Sequence, residues 1–482
     1  MTAPTKASGA GAGAGAGAAL TICCIGAGHV GGATSAVIAK HCPTVKVLVV
    51  DKCAAKIAQW QTGSDLPVYE PGLAPIVKAQ LGTNLFFSTD VKQAVAAASM
   101  VFVCVDTPTK SSGLGAGSAS DTCNYEVVAR AIAQASTSDK IIVEKSTVPV
   151  RTADAISEVL RANATSPDVH FDVISNPEFM AEGSAVADVE SPNRILIGGA
   201  ETPRAKDAVD KLIWLYTHWV PREKIFTTNV WSSELAKLVA NAFLAQRVSS
   251  INSVSAICEA TGANVHEVAH AVGTDDRIGS QFLNASIGFG GSALHQDVLN
   301  LVYLARTLKL PQVAEYWHHV IAINDYQKRR FVRNMVKVMF NTLVGKKICL
   351  YGFAYKKNTS HARESAAASI IKALLIERAV ITVYDPLVKE DEMNAELVRQ
   401  GVDLEAAKSR LTFSADPYAA AADAHAVAVL TAWDDVKKLD FERVYAKMAK
   451  PACFFDGRNL LPHAKLRALG AEVHAIGQAF AG

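Results

Sequence analysis

An α/β fold, built as two doubly wound sheet domains joined by a helical central region, is predicted by three features of the 482-residue chain. Short continuous apolar runs alternate with helix-length stretches from Leu20 to about residue 228, a breaker-free helical stretch follows, and the apolar runs return at Lys347. Runs that are continuous rather than alternating mark strands buried on both faces, as in a parallel sheet covered by helices. The expected domains are 20–228, 229–343 and 344–482. Ahead of them, residues 1–19 carry an Ala/Gly tract, too weakly apolar for a secretory signal, which reads as a flexible, disordered tail.

The first run, LTICCIG from Leu20, is a buried strand that breaks into a glycine turn and a helix. VKVLVVD at 45–51, MVFVCV at 100–105, KIIV at 140–143, and the runs at 171–174 and 194–197 continue the alternation as a parallel sheet. From Ser232 to about Thr261 apolar residues recur at Leu235, Leu238, Val239, Ala242 and Phe243, and Gly262 stands where a helix stop belongs. Asn264 with Glu267 is a capping pair that opens another helix, and 297 to about 341 reads as one more. KICLYGFAY, AVITVYDP, AHAVAVLTAW, ACFFDGRN and AEVHAIG then supply the strands of a second, smaller parallel sheet.

Forty-eight Lys and Arg against 46 Asp and Glu leave a net charge of +2. With no block of like charges, generic nucleic-acid binding gets no support, while a few placed cations can still hold a phosphorylated small molecule. No apolar run approaches the roughly 20 residues of a membrane helix, and the chain's AFAG ending resembles no anchor, so no membrane partner is expected. The nine cysteines are scattered without C-x-x-C spacing and read as reduced thiols of a cytoplasmic protein, with no metal site.

Gly26-Ala27-Gly28-His29-Val30-Gly31 follows a strand and opens a helix, and Asp51 ends the next strand. The first glycine permits a tight turn, the second lets a pyrophosphate approach the backbone, and the third lets helix and strand pack closely. The helix N-terminus offers free N–H groups to phosphates. A carboxylate at Asp51 accepts from ribose hydroxyls and repels a 2′-phosphate, which favours NAD over NADP as the cofactor.

Longer motifs extend this: YEPGL from Tyr69, TPTK from Thr107, EKSTVPV from Glu144, NPEFMAEG from Asn176, SSELAKLVANAFLAQR from Ser232, GFGGS from Gly288 and FDGR from Phe455. Together they resemble the UDP-glucose 6-dehydrogenases, and VPREKI, ICEATGA and DVLNLVYLA resemble the animal-like branch. The resemblance implies two Rossmann-like domains and oxidation of the C6 hydroxyl of UDP-glucose twice, with two NAD molecules. The product would be UDP-glucuronate, a glycosaminoglycan or polysaccharide precursor.

By that resemblance Lys237 and Asn241, one turn apart on the long helix, stabilise an oxyanion at C6. Thr147 and Glu178 order the catalytic water and move protons, with Asp297 alongside them. Lys56, Thr107, Pro108, Thr109, Ser146 and Arg363 join the Gly-rich turn in holding NAD, and Glu182 lies between the nicotinamide ribose and the substrate. Arg277 resembles the arginine given to a neighbouring subunit's substrate phosphates, which implies at least a homodimer. Asn284, Gly288, Phe289 and Gly290 resemble the loop around the uridine and diphosphate. Tyr355 and Lys356 resemble substrate contacts of the second sheet domain, and Arg458 a sugar or phosphate contact.

Several positions depart from the pattern. After GFGGS the family places Cys-x-x-Lys-Asp, whose thiolate forms a thiohemiacetal with the intermediate aldehyde. This chain has Ala293 for the cysteine and Gln296 for the lysine. A methyl group cannot attack a carbonyl, so the covalent route is closed there. Ser292 is rotated about 100° from that position in a helix and has no evident base, and His295 points elsewhere. The segment from Asn358 to Ala362 also replaces an acidic pattern, and Asp106 stands where many members have Asn. Three readings stand: a UDP-glucose dehydrogenase with an impaired second step; a silent NAD- and UDP-sugar-binding subunit that regulates an active paralogue in a hetero-oligomer; and a dehydrogenase for another nucleotide sugar.

Overall fold

The computed structural model describes residues 20–479. The 1–19 tail expected to be disordered lies outside them. Eight strands form the first sheet: β1 (Thr21–Ile25), β2 (Lys46–Val50), β3 (Leu85–Ser88), β4 (Met100–Val103), β5 (Lys140–Glu144), β6 (Phe171–Ser175), β7 (Ile195–Gly198) and β8 (Ile225–Thr228). Their order is β3-β2-β1-β4-β5-β6-β7-β8. The order reverses between β1 and β4, so a crevice opens beyond their carboxyl ends.

The expectation of a parallel sheet needs correction at one point, because β7 runs antiparallel to β6, meeting it at Ser175 and Gly198. The chain between them lays only the short helix Ala185–Glu190 against the helix His29–His41. With no full crossover helix over the sheet, β7 enters reversed, and β8 then pairs parallel to it. Strands β3 and β8, absent from the sequence expectation, are short edge-side strands with partly exposed residues.

The second sheet comprises β9 (Lys347–Tyr351), β10 (Val380–Tyr384), β11 (Leu411–Phe413), β12 (Ala426–Val429), β13 (Cys453–Asp456) and β14 (Glu472–Ala475). It is parallel throughout in the order β11-β10-β9-β12-β13-β14, with its own reversal between β9 and β12. Both sheets are thus doubly wound, and the fold is α/β with a helical centre.

That centre is four helices: Val230–Thr261, Val265–Gly273, Ser292–Thr307 and Pro311–Val338. Asn229 caps the first by accepting from the Ser232 N–H, and Gly262 ends it at φ 83°. Asn264 caps the next through the His266 N–H at 2.9 Å, rather than through a reciprocal pair with Glu267. The single helix expected over 297–341 is two. It begins earlier, at Ser292, and breaks after Thr307, where Lys309 takes φ 59° and Pro311 opens the next helix. Proline restricts the residue before it and lacks an N–H, so it suits a helix start and not an interior. Among the described residues, no helix is long and apolar enough to cross a membrane, and no His/Cys/Asp/Glu cluster of metal-holding geometry occurs. Each cysteine is a free thiol, and only Cys53 and Cys123 are exposed.

Candidate active site

Three glycines do different work in the turn after β1. Gly26 sits at φ 107°, and a Cβ there would lie 2.4 Å from the Cys104 carbonyl oxygen. A Cβ on Gly31 would lie 1.9 Å from Gly26 O, so the turn and helix close only on hydrogen atoms. At Gly28 a Cβ would meet nothing within 4 Å, which leaves open space at the N-terminus of the helix His29–His41. Gly28 offers no side-chain cap, so the first N–H groups face that space. A cradle that is tight beneath and open above fits a dinucleotide pyrophosphate.

Asp51 is tied to the same turn. Its Oδ2 accepts from Ala27 N at 3.0 Å and from Lys56 Nζ at 3.2 Å, and its Oδ1 accepts from Cys53 N at 2.9 Å. Burial works against the charge, but the Cys53 and Ala27 N–H groups and the Lys56 ammonium outweigh it and hold the carboxyl below its ordinary pKa. Two of the turn residues expected to face cofactor have other neighbours. Val30 packs against the strand core, and His29 Nε2 lies 2.8 Å from Glu70 Oε1. The loops after β4 and β5 are knitted together beside the turn. Thr107 Oγ1 donates to Thr147 O at 2.7 Å, Ser146 Oγ to Val105 O at 2.7 Å, Asp121 N to Pro108 O at 2.6 Å, and Thr109 bridges to Ser120.

Four polar groups gather where the long helix passes the ends of the strands. Lys237 is buried, with Nζ 3.1 Å from Glu178 Oε1, and Glu178 Oε2 accepts from Met180 N at 2.8 Å. One turn further along, Asn241 Nδ2 donates to Asp297 Oδ2 at 2.6 Å. Burial pushes the Asp297 carboxyl up to about 7, while Lys237 and Asn241 pull the other way and Glu178 adds to the rise. The pairing of an ammonium and an amide on one helical face is as the sequence suggested, and each faces a carboxylate.

Ala293 lies in the first turn of the helix Ser292–Thr307, exposed, and one helical turn before Asp297. Its methyl therefore shares a face with the Asp297 carboxylate. His295 is turned away, its Nδ1 3.8 Å from Glu364 Oε2, and burial lowers its pKa. Ser292 and Gln296 are half-buried.

The loop before that helix is shaped from both sides. Gly288 takes φ 118° with its Cβ position 2.7 Å from Asn324 Oδ1, and Asn324 clamps Phe289 by accepting its N–H at 2.8 Å and donating to its carbonyl at 3.0 Å. Cβ atoms on Gly290 and Gly291 would lie 3.1 Å and 2.7 Å from the Tyr355 side chain. Asn284 is exposed at the start of this loop. Asn324 escaped sequence reading; its signal was an asparagine in the middle of an otherwise amphipathic helix.

From the second sheet domain, Arg458 Nε donates to Leu430 O at 2.6 Å beside the β9/β12 reversal, and burial lowers its pKa to about 10. Lys356 Nζ lies 5.8 Å from the centre of the Tyr355 ring. Burial lowers the Lys356 pKa against the pull of Glu182 and Glu70. Arg363 is exposed. Arg277 is exposed as well and pairs with its neighbour Asp275, its Nη2 2.6 Å from Asp275 Oδ2.

Glu182, expected between the nicotinamide ribose and the substrate, is taken up within the protein by Tyr355, Thr359 and His361. Burial opposes its charge, but His361 and Tyr355 prevail and bring its pKa to about 2. Glu70, from the YEPGL motif, also escaped assignment. It accepts the N–H groups of Gly183 at 2.5 Å and Ala185 at 2.9 Å, fastening the NPEFMAEG loop.

Models of the UDP-glucose/GDP-mannose dehydrogenase family match three consecutive stretches: its NAD binding domain over 20–220, its central domain over 231–326 and its UDP binding domain over 349–463. UDP-glucose 6-dehydrogenase 2 of Oryza sativa subsp. japonica is 52% identical over 467 residues, covering 95% of this chain and 97% of that one. The UDP-glucose 6-dehydrogenase of Drosophila melanogaster is 51% identical over 463 residues, covering 96% and 97%. Identity to plant and insect relatives is thus level. A solved UDP-glucose dehydrogenase from Pyrobaculum islandicum superposes with a TM-score of 0.81 at 26% identity, covering 97% of this chain and 99% of that one. The Gly-rich turn and its acid, the Lys237/Asn241 face and the second sheet domain fall respectively within the three matched stretches, and the chain belongs to the UDP-glucose/GDP-mannose dehydrogenase family.

Proposed function

We propose that this chain is an NAD-dependent dehydrogenase that oxidises the C6 hydroxyl of UDP-glucose, and that its second oxidation, to UDP-glucuronate, is crippled at Ala293. One arrangement carries the reading: Lys237 with Glu178 and Asn241 with Asp297, gathered at the strand ends beside an open dinucleotide turn.

The residues that fit NAD are the turn from Gly26 to Gly31, Asp51 with Lys56, and the loops carrying Thr107 and Ser146. When bound, NAD supplies the acceptor for the hydride that leaves C6. The protein's part is to hold the sugar, take the hydroxyl proton and stabilise the alkoxide that develops on the oxygen. Asp297, with a pKa near neutrality, is suited to accept that proton directly or through one water. The buried Lys237 ammonium and the half-buried Asn241 amide are preformed donors, and such groups stabilise a developing oxyanion most where water is excluded. Glu178 holds Lys237 in place and, with Thr147, is the candidate for handling water. Arg458 and Lys356 supply cations for the diphosphate or sugar hydroxyls, and Tyr355 with residues 284–290 the wall around the nucleotide.

Oxidation of the aldehyde is where this chain departs from its family. With a methyl at position 293 no thiohemiacetal forms, and Gln296 brings no cation. Arg277, exposed and paired with Asp275, suits a neighbouring copy's phosphates. Trp231, Leu235, Phe243 and Ile257 lie exposed along the long helix, which suits burial against a second copy. The losses at 293 and 296 also favour a second reading, a silent NAD- and UDP-sugar-binding subunit that regulates an active paralogue.

Mixing the purified protein with NAD and either UDP-glucose or GDP-mannose, and following reduced cofactor, tests the proposal. Reduction with UDP-glucose alone supports the first reading. Thermal stabilisation by UDP-glucose without reduction favours the second. Absence of both removes the assignment.

A further inference from the structure

The two sheet domains meet at a seam that Glu182 holds from one side. Glu182 lies in the loop after β6. Its Oε2 accepts the Tyr355 hydroxyl at 2.8 Å and the Thr359 hydroxyl at 3.3 Å, and its Oε1 lies 2.8 Å from His361 Nδ1. All three partners belong to the segment that follows β9. The backbones are fitted just as closely: a Cβ on Gly183, at φ 80°, would lie 2.6 Å from Asn358 O, and Asn358 itself takes φ 61°. Tyr355 in turn packs its ring on Gly291, the residue that opens the helix bearing Ala293 and Asp297. A line of contacts therefore runs from His361 through Glu182 and Tyr355 to the loop that precedes the helix of Ala293 and Asp297.

We propose that His361 is a positioning residue that makes closure of this seam, and with it the hold on the UDP-sugar, depend on pH. The binding part of this inference rests on the function proposed above; the seam itself does not.

The charges around the ring decide the sign. Glu182 faces it directly, Glu70 stands behind, and Glu392 of the helix Glu390–Arg399 adds a third negative charge. Lys356 is carried on the same segment, and the His29 ring centre lies 6.2 Å from that of His361, with Glu70 as the His29 partner. The Glu182 carboxylate, against the opposing effect of burial, raises the His361 pKa above its ordinary value. The imidazolium contact is therefore complete below the ordinary histidine range and weakens as pH rises through the raised value. His361 is half-exposed, so solvent and salt limit the effect to that of a surface ion pair, about fivefold in affinity.

The test uses the full-length protein, its His361→Gln and His361→Asp variants, and two readouts at about pH 6 and about pH 8.5. One is the dissociation constant of UDP-glucose with NAD present; the phosphodiesters of neither ligand titrate in that range. The other is hydrogen exchange in the segment 355–364 without ligand. In the unaltered protein, affinity is expected to fall about fivefold more than in His361→Gln between the two pH values, and exchange in the segment to quicken in step. The Gln variant keeps any contribution from Asp297, so the difference isolates His361. His361→Asp, which sets two carboxylates together, should bind weakly and exchange rapidly at both values. Identical pH profiles for the unaltered protein and His361→Gln in both readouts would overturn the proposal. If UDP-glucose fails to bind at any pH, the functional reading falls, and the exchange comparison alone still decides the seam.

Discussion

Asn241 donates to Asp297 across 2.6 Å, joining the long central helix to the helix that opens beneath Ala293. The bond places a buried carboxyl, with a pKa near 7, one helical turn from Ala293. Asp297 serves as a base only when ionised, so reduction of NAD by UDP-glucose should rise with pH through about 7. Asp297→Asn should remove that inflection and lower the rate by about 10² to 10⁴. The same substitution should stabilise the fold at neutral pH and above. A carboxyl whose folded pKa is raised contributes stability below its unfolded value and loses it as pH rises through the folded one, here a penalty of about 4 kcal/mol for a rise from 3.8 to about 7, which asparagine does not carry. Rate–pH profiles and urea melts check the two halves separately.

Lys237 and Glu178 should behave as a unit. Lys237→Met keeps the volume but leaves Glu178 without its cation, and should cost about 3 to 5 kcal/mol of stability, as removal of one partner of a buried pair does. Adding Glu178→Gln should return much of that stability while turnover stays about 10² to 10³ below the unaltered enzyme, because the oxyanion donor is gone. Recovery of activity with stability would place Lys237 outside the chemistry.

NAD should bind at least tenfold more tightly than NADP, about 1.4 kcal/mol, because Asp51 opposes a 2′-phosphate. Asp51→Asn keeps an acceptor for the Ala27 N–H while removing the charge, so it should narrow the ratio without unfolding the turn. Calorimetric titration with both cofactors measures this.

Glu144, at the end of β5, is buried with neither carboxylate oxygen hydrogen-bonded among the described residues. Burial, with Glu234 and Asp154 adding to it, holds its pKa well above the ordinary range. Holding a proton that the unfolded chain releases costs stability increasingly as pH rises above about 4.5. Glu144→Gln should therefore raise the melting temperature, by the equivalent of about 1 to 3 kcal/mol at pH 8 and by less at pH 5.

Features set by neighbours in sequence were legible there. The glycine turn, the long helix with its Gly262 stop, and the Lys237/Asn241 face all follow from local spacing, and Asp51 from its place at the end of the next strand. The break before Pro311 was equally local and was passed over, since the amphipathic pattern runs on across it. Strands β3, β8 and β11 are too short, and too exposed on one side, to show as continuous apolar runs. The reversal of β7 depends on where a short helix docks, which no local pattern records. Least legible were the pairings across the seam. Glu182 and Tyr355 are 173 residues apart, and only the folded chain shows that the carboxylate assigned to substrate is held by Tyr355, Thr359 and His361.

The claim that the first oxidation survives and the second fails is tested most directly by identifying the product. Purified protein would be incubated with UDP-glucose and excess NAD, the nucleotide sugars resolved by mass, and reduced cofactor counted per sugar consumed. At most a trace of UDP-glucuronate and a stall at the aldehyde are expected. Ala293→Cys combined with Gln296→Lys should restore four-electron oxidation, with each single change falling short because nucleophile and lysine act together. Formation of UDP-glucuronate by the unaltered protein at about 1 per second, an ordinary enzyme turnover, would contradict it.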